Sequence, residues 1–428
     1  MNDRAGERDA EATAILRDND RGGFSVPAAG LYPFQWNWDS AFAALGYAHL
    51  DPERAITELE TLAAAQWPDG MIPHIVFHRP DEGYFPGPEV WASGKTPPTS
   101  GITQPPVLAI ATARLAAAGH LAGDRLANLL ATANLWHAWF QRARRDPETG
   151  AVGVIHPWES GRDNMPDWDG ALDAVDASNV RPFKRRDTGH VDAAMRPTDD
   201  QYRRYIALVE CGIAAGWDQE ELCATSPFFV ADPGMTGILI LAERALADAA
   251  GNAGLSDLVG AAREREARLV DGFGALWDED VGGPTTRDVR TGVRGTSISS
   301  MSFLGLGFGM LPEAQATRLA AEFDRIGERC RYMVPSYDPA ADAFDEARYW
   351  RGPVWLVVNW LIAMGLEAAG DTHRAARIRD DSRALIEQGG FFEYYSALSG
   401  APLGGGTFTW TAAAWLDFVR GADGRNQS

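Results

Sequence analysis

The feature that most constrains the fold of this chain is a periodicity. Apolar residues recur at three- and four-residue spacing in segment after segment, at 38–50, 52–66, 106–122, 127–145 and 201–215, then at 235–250, 255–276, 312–329, 350–370, 372–388 and 409–420. Gly, Pro or Asp stands near the ends of each, as at the starts and stops of helices. Period-two alternation, which a half-buried strand requires, is scarce. A series of roughly a dozen helices without an exact sequence repeat predicts hairpins set in a ring. With 428 residues and 45% hydrophobic side chains, there is apolar material for a large core, and a toroid is one way for so long a chain to remain one domain. The expectation is an all-α fold, a single domain over 1–428 with short polar tails at 1–22 and 421–428.

The formal net charge of −20 argues against nucleic acid and anionic membranes as partners, because phosphate neutralisation needs clustered basic side chains. An anionic substrate would need a local arginine. The polar, acidic start lacks an apolar leader core, and no stretch reaches about eighteen uncharged apolar residues. The expected location is the cytoplasm. Cys211, Cys223 and Cys330 are odd in number and widely spaced, which fits buried thiols better than disulfides or a zinc site. Phosphate-loop, H-E-x-x-H, C-x-x-C and nucleophile-elbow patterns are missing.

Between the helical segments lie loops at 28–37, 68–105, 153–168, 335–352 and 389–408, long and rich in Gly, Pro and aromatics. Loops that combine Trp and Tyr with Asp and Glu have a reason to be ordered: aromatic faces bury against the CH-rich faces of sugars while carboxylates take hydroxyl hydrogen bonds. The stretch 173–197, with Lys184, Arg185, Arg186 and Asp187, reads instead as a polar excursion and a candidate flap.

Three constellations stand out. In Tyr32-Pro-Phe-Gln35-Trp36-Asn-Trp38-Asp39, the aspartate has an ordinary explanation as a charge near a helix N-terminus, but Gln35, Trp36 and Trp38 beside it fit a sugar cradle. In His156-Pro-Trp158-Glu159-Ser-Gly-Arg162-Asp163-Asn164, two acids share a loop with an aromatic. Either both are solvated charges, or Glu159 or Asp163 loses hydration against Trp158, which is how a carboxylate becomes a usable acid near neutral pH. In Phe392-Glu393-Tyr394-Tyr395, a lone glutamate among aromatics is a rigid base at a cavity edge or half of a structural ion pair.

Tyr84, Gln104, Tyr202-Arg-Arg204-Tyr205 and Tyr349-Trp350-Arg351-Gly-Pro-Val-Trp355 add polar handles next to aromatics. Arg204 and Arg351 are the candidates for gripping a substrate carboxylate through two parallel hydrogen bonds, with an internal salt bridge as the alternative for each. His74 would bond a ligand or fill a core site.

At these motifs the sequence resembles glycoside hydrolase family 63, and within it the bacterial hydrolases of mannosylglycerate and glucosylglycerate. The residues that carry the resemblance are YPFQWNWDSAF, GMIPHIVF, SGITQPP, HPWESGRDN, YRRY, YWRGPVW and GGFFEYY with TFTWTAA downstream, in order from Tyr32 to Ala413. The resemblance implies an (α/α)6 barrel and an inverting hydrolase of 2-O-(α-glycosyl)-D-glycerate, glucosylglycerate before mannosylglycerate or another small α-glucoside, with neither metal nor organic cofactor. It places the general acid on Asp163 and the general base on Glu393. Tyr32, Trp36, Trp38, Asp39, His74, Tyr84, Gln104, Trp158, Arg204, Tyr349, Trp350 and Trp355 fall on motifs that line the sugar and glycerate pockets. The partner is then a small anionic sugar conjugate, and a homo-oligomer is left open. The stretch around Lys184 and that at 396–398 depart from the family pattern. Two other readings compete: a sugar epimerase, which would need paired histidines, and a sugar-binding protein that would tolerate loss of Asp163 and Glu393.

Overall fold

A computed structural model describes residues 2–81, 83–185, 189 and 191–420. The expected C-terminal tail, 421–428, lies outside them, as do Arg186 and Asp187 of the polar excursion and His190. Six helices close into an inner ring, each packed on the next: Asn37–Tyr47, Leu108–Ala117, Pro233–Asn252, the 3-10 helix Ser300–Leu306, Leu356–Ala368 and Thr409–Ala414, which returns to the first. Each inner helix packs against an outer one: Pro52–Ala63, Gly123–Ala143, Ser256–Ala275, Glu313–Gly327, Thr372–Gly389 and Asn2–Asp18, in the same order. The fold is an (α/α)6 toroid.

Sequence decides which ring a helix joins. Every residue of Asn37–Tyr47 is buried, as a helix covered on all sides must be, whereas Pro52–Ala63 buries only the stripe Ala55, Ile56, Glu58, Leu59 and Leu62. Aspartates start several of these helices. Asp51 accepts from the Glu53 and Arg54 N–H groups, and Asp232 from those of Gly234 and Met235. One contiguous core runs from Ala12 to Val419.

Three expectations need correction. The segment expected as a polar tail is the outer helix Asn2–Asp18, which completes the sixth hairpin by joining the two ends of the chain. Its buried face is a single narrow stripe, Ala12, Ile15 and Leu16, too short to stand out in a polar sequence. The helix expected from residue 350 starts at Leu356, because Pro353 cannot donate within a helix and holds the preceding residue extended. Of the three thiols, Cys330 alone is fully buried, while Cys211 and Cys223 are partly exposed. The helix Asp199–Ala214, expected from its periodicity, lies outside the ring of hairpins and turns Tyr202 and Tyr205 toward the loops of the site. No helix among the described residues is long and apolar enough to cross a membrane.

The long loops are tied by short antiparallel ribbons. Gln35–Trp36 pairs with Ile75–Val76, Gly153–Val154 with Val230–Ala231, and Phe392–Tyr395 with Pro402–Gly406. These ribbons fix the loop residues that the helices themselves do not reach.

Candidate active site

A cleft of about 900 Å³, measured to its open mouth, lies at the N-terminal ends of the inner helices. Asp39 sits in the first turn of Asn37–Tyr47, Gln104 just ahead of Leu108–Ala117, and Phe408 and Trp410 at the start of Thr409–Ala414. Helix N-termini present free N–H groups and the positive end of the peptide dipole, so they favour anions even in an acidic protein. Tyr32, Trp36, Trp38, Asp39, His74, Tyr84, Gln104, Trp158, Asp163, Tyr349 and Glu393 all line this one cleft.

Glu393 is held on every side. It lies on the ribbon strand Phe392–Tyr395 with its side chain buried. Tyr32 donates to its Oε1 at 2.9 Å and Tyr349 at 3.4 Å; Arg196 donates to Oε2 at 2.8 Å and the Gly405 N–H to the same oxygen at 3.2 Å. Arg196 also donates to the Tyr32 hydroxyl at 2.8 Å. Burial holds both phenols well above the ordinary tyrosine range, so each keeps its proton and remains a donor. An ion pair was the structural alternative for this glutamate; the ion pair is present, and it lies inside the cleft.

Asp163 is half-buried on the opposite loop, with its carbonyl accepting from the Tyr205 hydroxyl at 2.7 Å. Its charge, like that of Glu393, helps to raise the Tyr32 and Tyr349 phenols, behind the larger effect of burial. The other acid of the loop has a different role. Glu159 is fully buried outside the cleft, paired with Arg144 at 2.7 Å and accepting from the Ile155 N–H at 2.9 Å, so it braces the loop that carries Asp163.

Burial, and then the charge of Glu393, pushes the Asp39 carboxyl well above the usual range. Gln104 accepts from the Trp38 N–H at 3.2 Å and thereby locks the cradle to the next inner helix. His74 is held well below its usual range by burial and by His156, so it faces the cleft as a neutral ring. His156 is pushed down to about 3 by burial. Its Nδ1 accepts from the Trp158 N–H, so Nε2 carries the proton donated to the Tyr205 carbonyl. With both nitrogens engaged, His156 offers no second base to His74.

Four expected contributors lie elsewhere. Trp350 and Trp355 stack face to face at 3.7 Å, and Trp355 Nε1 donates to the Tyr349 carbonyl; neither lines the cleft, and together they form a wall behind Tyr349. Arg204 is paired with Asp200 at 3.1 Å and Asp173 at 3.3 Å, and Arg351 with Asp169 at 2.5 Å, so both have their alternative role as internal salt bridges. Among the described residues, the cation that lines the cleft is Arg196. Nothing around the Arg196-Pro197 pair announces it in sequence. Helical spacing could have corrected the rest: Tyr202 and Tyr205 are one turn apart and share a face, which leaves Arg204 on another. Tyr202, Phe408 and Trp410 complete the aromatic wall. Among the described residues no group of three or more His, Cys, Asp or Glu side chains is placed to hold a metal ion.

Comparison with known proteins gives a consistent result. Residues 32–411 match the family model described as the mannosylglycerate hydrolase MGH1-like glycoside hydrolase domain. The chain is 45% identical over 414 residues to mannosylglycerate hydrolase MGH1 of Selaginella moellendorffii, covering 94% of this chain and 84% of that protein. It is 36% identical over 439 residues to the glucosylglycerate hydrolase of Mycolicibacterium hassiacum, covering 96% and 97%. The crystal structure of the GH63 mannosylglycerate hydrolase from Thermus thermophilus in complex with Tris and D-glycerate superposes with a TM-score of 0.89 at 42% identity, over 96% of this chain and 100% of that one.

Proposed function

The chain belongs to the MGH1-like glycoside hydrolases of family 63, and from that premise we propose that it cleaves 2-O-(α-glycosyl)-D-glycerate with inversion, releasing a free hexose and D-glycerate. It is a glycosidase. The observation that carries the substrate reading is a pairing: two carboxylates, Asp163 and Glu393, and one buried arginine, Arg196, share a cleft walled by tryptophan and tyrosine.

Asp163 is the general acid in this reading and gives its proton to the glycosidic oxygen as the bond to the anomeric carbon breaks. Glu393 is the general base and takes a proton from the water that attacks the opposite face. Trp36 and Trp38 supply apolar faces to the sugar, and Asp39 bonds its hydroxyls. The glycerate carboxylate is matched by Arg196, whose Nε has no partner in the protein while its two terminal nitrogens hold Tyr32 and Glu393. The named relatives act on both mannosyl and glucosyl conjugates, and the greater identity belongs to a mannosylglycerate hydrolase. Mannosylglycerate therefore stands beside glucosylglycerate, the substrate expected first from the motifs.

The test is to offer purified enzyme both conjugates and the neutral analogue glucosylglycerol, and to follow the anomer first released by proton NMR. The β-hexose is expected. Release of the α-anomer would overturn inversion, and absence of turnover on both glycerate conjugates would overturn the substrate. Asp163→Asn and Glu393→Gln should each abolish turnover.

A further inference from the structure

The acid and the base come from loops far apart in the chain, and one side chain spans them. Asn164, next to Asp163, is buried, and its Oδ1 accepts from the Trp350 N–H at 3.0 Å. That N–H belongs to the peptide unit that follows Tyr349. The carbonyl of the same unit accepts from Trp355 Nε1 at 3.2 Å, so two side chains grip both ends of one peptide plane.

The plane needs gripping. Tyr349 has φ of +41°, in the left-handed region that a residue with a bulky side chain avoids at a cost of about 1–2 kcal/mol. Without its two anchors the 349–350 peptide could relax and swing the tyrosine ring away. With them, the Tyr349 hydroxyl stays 3.4 Å from Glu393 Oε1 and 3.3 Å from the Tyr32 hydroxyl. On the other side, the backbone of Asp163 is held by the Tyr205 hydroxyl.

We infer that Asn164 is a positioning residue that sets the acid loop against the base: it fixes Asp163 through the adjoining backbone and Glu393 through the Trp350 peptide and the Tyr349 hydroxyl. The inference rests on the reading of Asp163 and Glu393 as acid and base. It assigns to this asparagine a role in kcat and none in binding, because it does not line the cleft.

The experiment compares Asn164→Leu, which keeps the volume and removes the acceptor, with Asn164→Asp, which keeps the acceptor. The Asn164 Nδ2 group has no partner, so the second change gives up no hydrogen bond. A misplacement of about 1 Å costs about 100-fold in rate. The Leu variant should lose kcat by about that factor with KM changed less than about threefold, and the Asp variant should recover most of it on the acid side of the profile. In a Tyr349→Phe background the Leu substitution should cost about tenfold, less than in the parent, since the route to Glu393 is gone and only that to Asp163 remains. Asn164→Ala, which leaves a small void, serves if the Leu variant does not fold. An unchanged kcat, a loss confined to KM, or an equal loss in the Tyr349→Phe background would each overturn the inference. Asp163→Asn and Glu393→Gln are run in parallel. If both stay active the acid–base reading itself falls; if both are dead while the Asn164 variants keep full kcat, the positioning role falls alone.

Discussion

Replacing Gly404 by alanine should cripple turnover while the chain still folds. Gly404 has φ of +74°, and a Cβ added there would stand 2.5 Å from Glu393 Oε2, 2.5 Å from the Tyr394 ring and 2.8 Å from Glu393 Cβ. Ordinary contacts begin at 3.4 Å, so the carboxylate must retreat by about 0.9 Å. By the same measure of about 100-fold per ångström of misplacement, kcat should fall by nearly two orders of magnitude. The backbone cost is separate. An alanine in the left-handed region costs about 1–2 kcal/mol, the crowding against Tyr394 and Glu393 adds about 1–3 kcal/mol, and 428 residues at about 2.1 cal/mol/K each give an unfolding entropy of about 0.9 kcal/mol/K, so Tm should drop by about 2–6 °C. Gly370→Ala is the control. Its φ is +81° with nothing within 4 Å, so it should show only the backbone share of the loss, about 1–2 °C in Tm, and full kcat. Steady-state kinetics on both conjugates with calorimetry on the same samples decide the matter. If Gly404→Ala and Gly370→Ala have equal kcat, the close approach to Glu393 does not position the base and the reasoning fails.

Three further outcomes follow from the same geometry. Arg196→Ala should lower kcat on every substrate, since Glu393 loses its ion pair, and should raise KM for the glycerate conjugates by about 10- to 100-fold, since one charge-assisted hydrogen bond is lost, with less than about a fivefold change for glucosylglycerol; Arg204→Ala should leave these values unchanged, and equal effects of the two arginines would refute the assignment. Glu159→Ala strands the buried Arg144 and should cost about 3–5 kcal/mol, a Tm loss of about 3–6 °C by calorimetry; a smaller loss than for Asp163→Ala would count against a bracing role. Asp167, hydrogen-bonded by Tyr337 at 2.9 Å, is pushed up to about 6 from 3.8, chiefly by burial. A raised folded value stabilises the fold at low pH and loses that contribution as pH climbs through 6. Asp167→Asn should therefore match the parent below pH 4 and exceed it at pH 8 by up to about 3 kcal/mol in denaturant titrations, and equal stabilities at pH 8 would defeat it.

Much of the molecule is legible in its residues alone. Helical periodicity locates most of the ring and the outer layer because burial on one face or all faces leaves a repeat in the sequence itself. The aromatic, Gly- and Pro-rich loops mark the cleft because aromatic faces beside carboxylates in a connector need a ligand or a packed wall to order them. Tyr32, Trp36, Asp39, Asp163 and Glu393 are found together for that reason.

What the sequence by itself determined was the class of fold and the identity of the chemical groups, since both are written in local residue type and spacing. Tertiary structure alone decided partners. It made Glu159 a brace while its neighbour Asp163 faces the cleft, turned Arg204 and Arg351 to aspartates outside the cleft, and brought Arg196 out of a polar excursion to Glu393, 197 residues away. It also made a helix of the first residues, because Asn2–Asp18 finds its apolar surface only where the far end of the chain comes round to meet it. Contacts across such separations depend on how the ring closes, and no local pattern of residues encodes that closure.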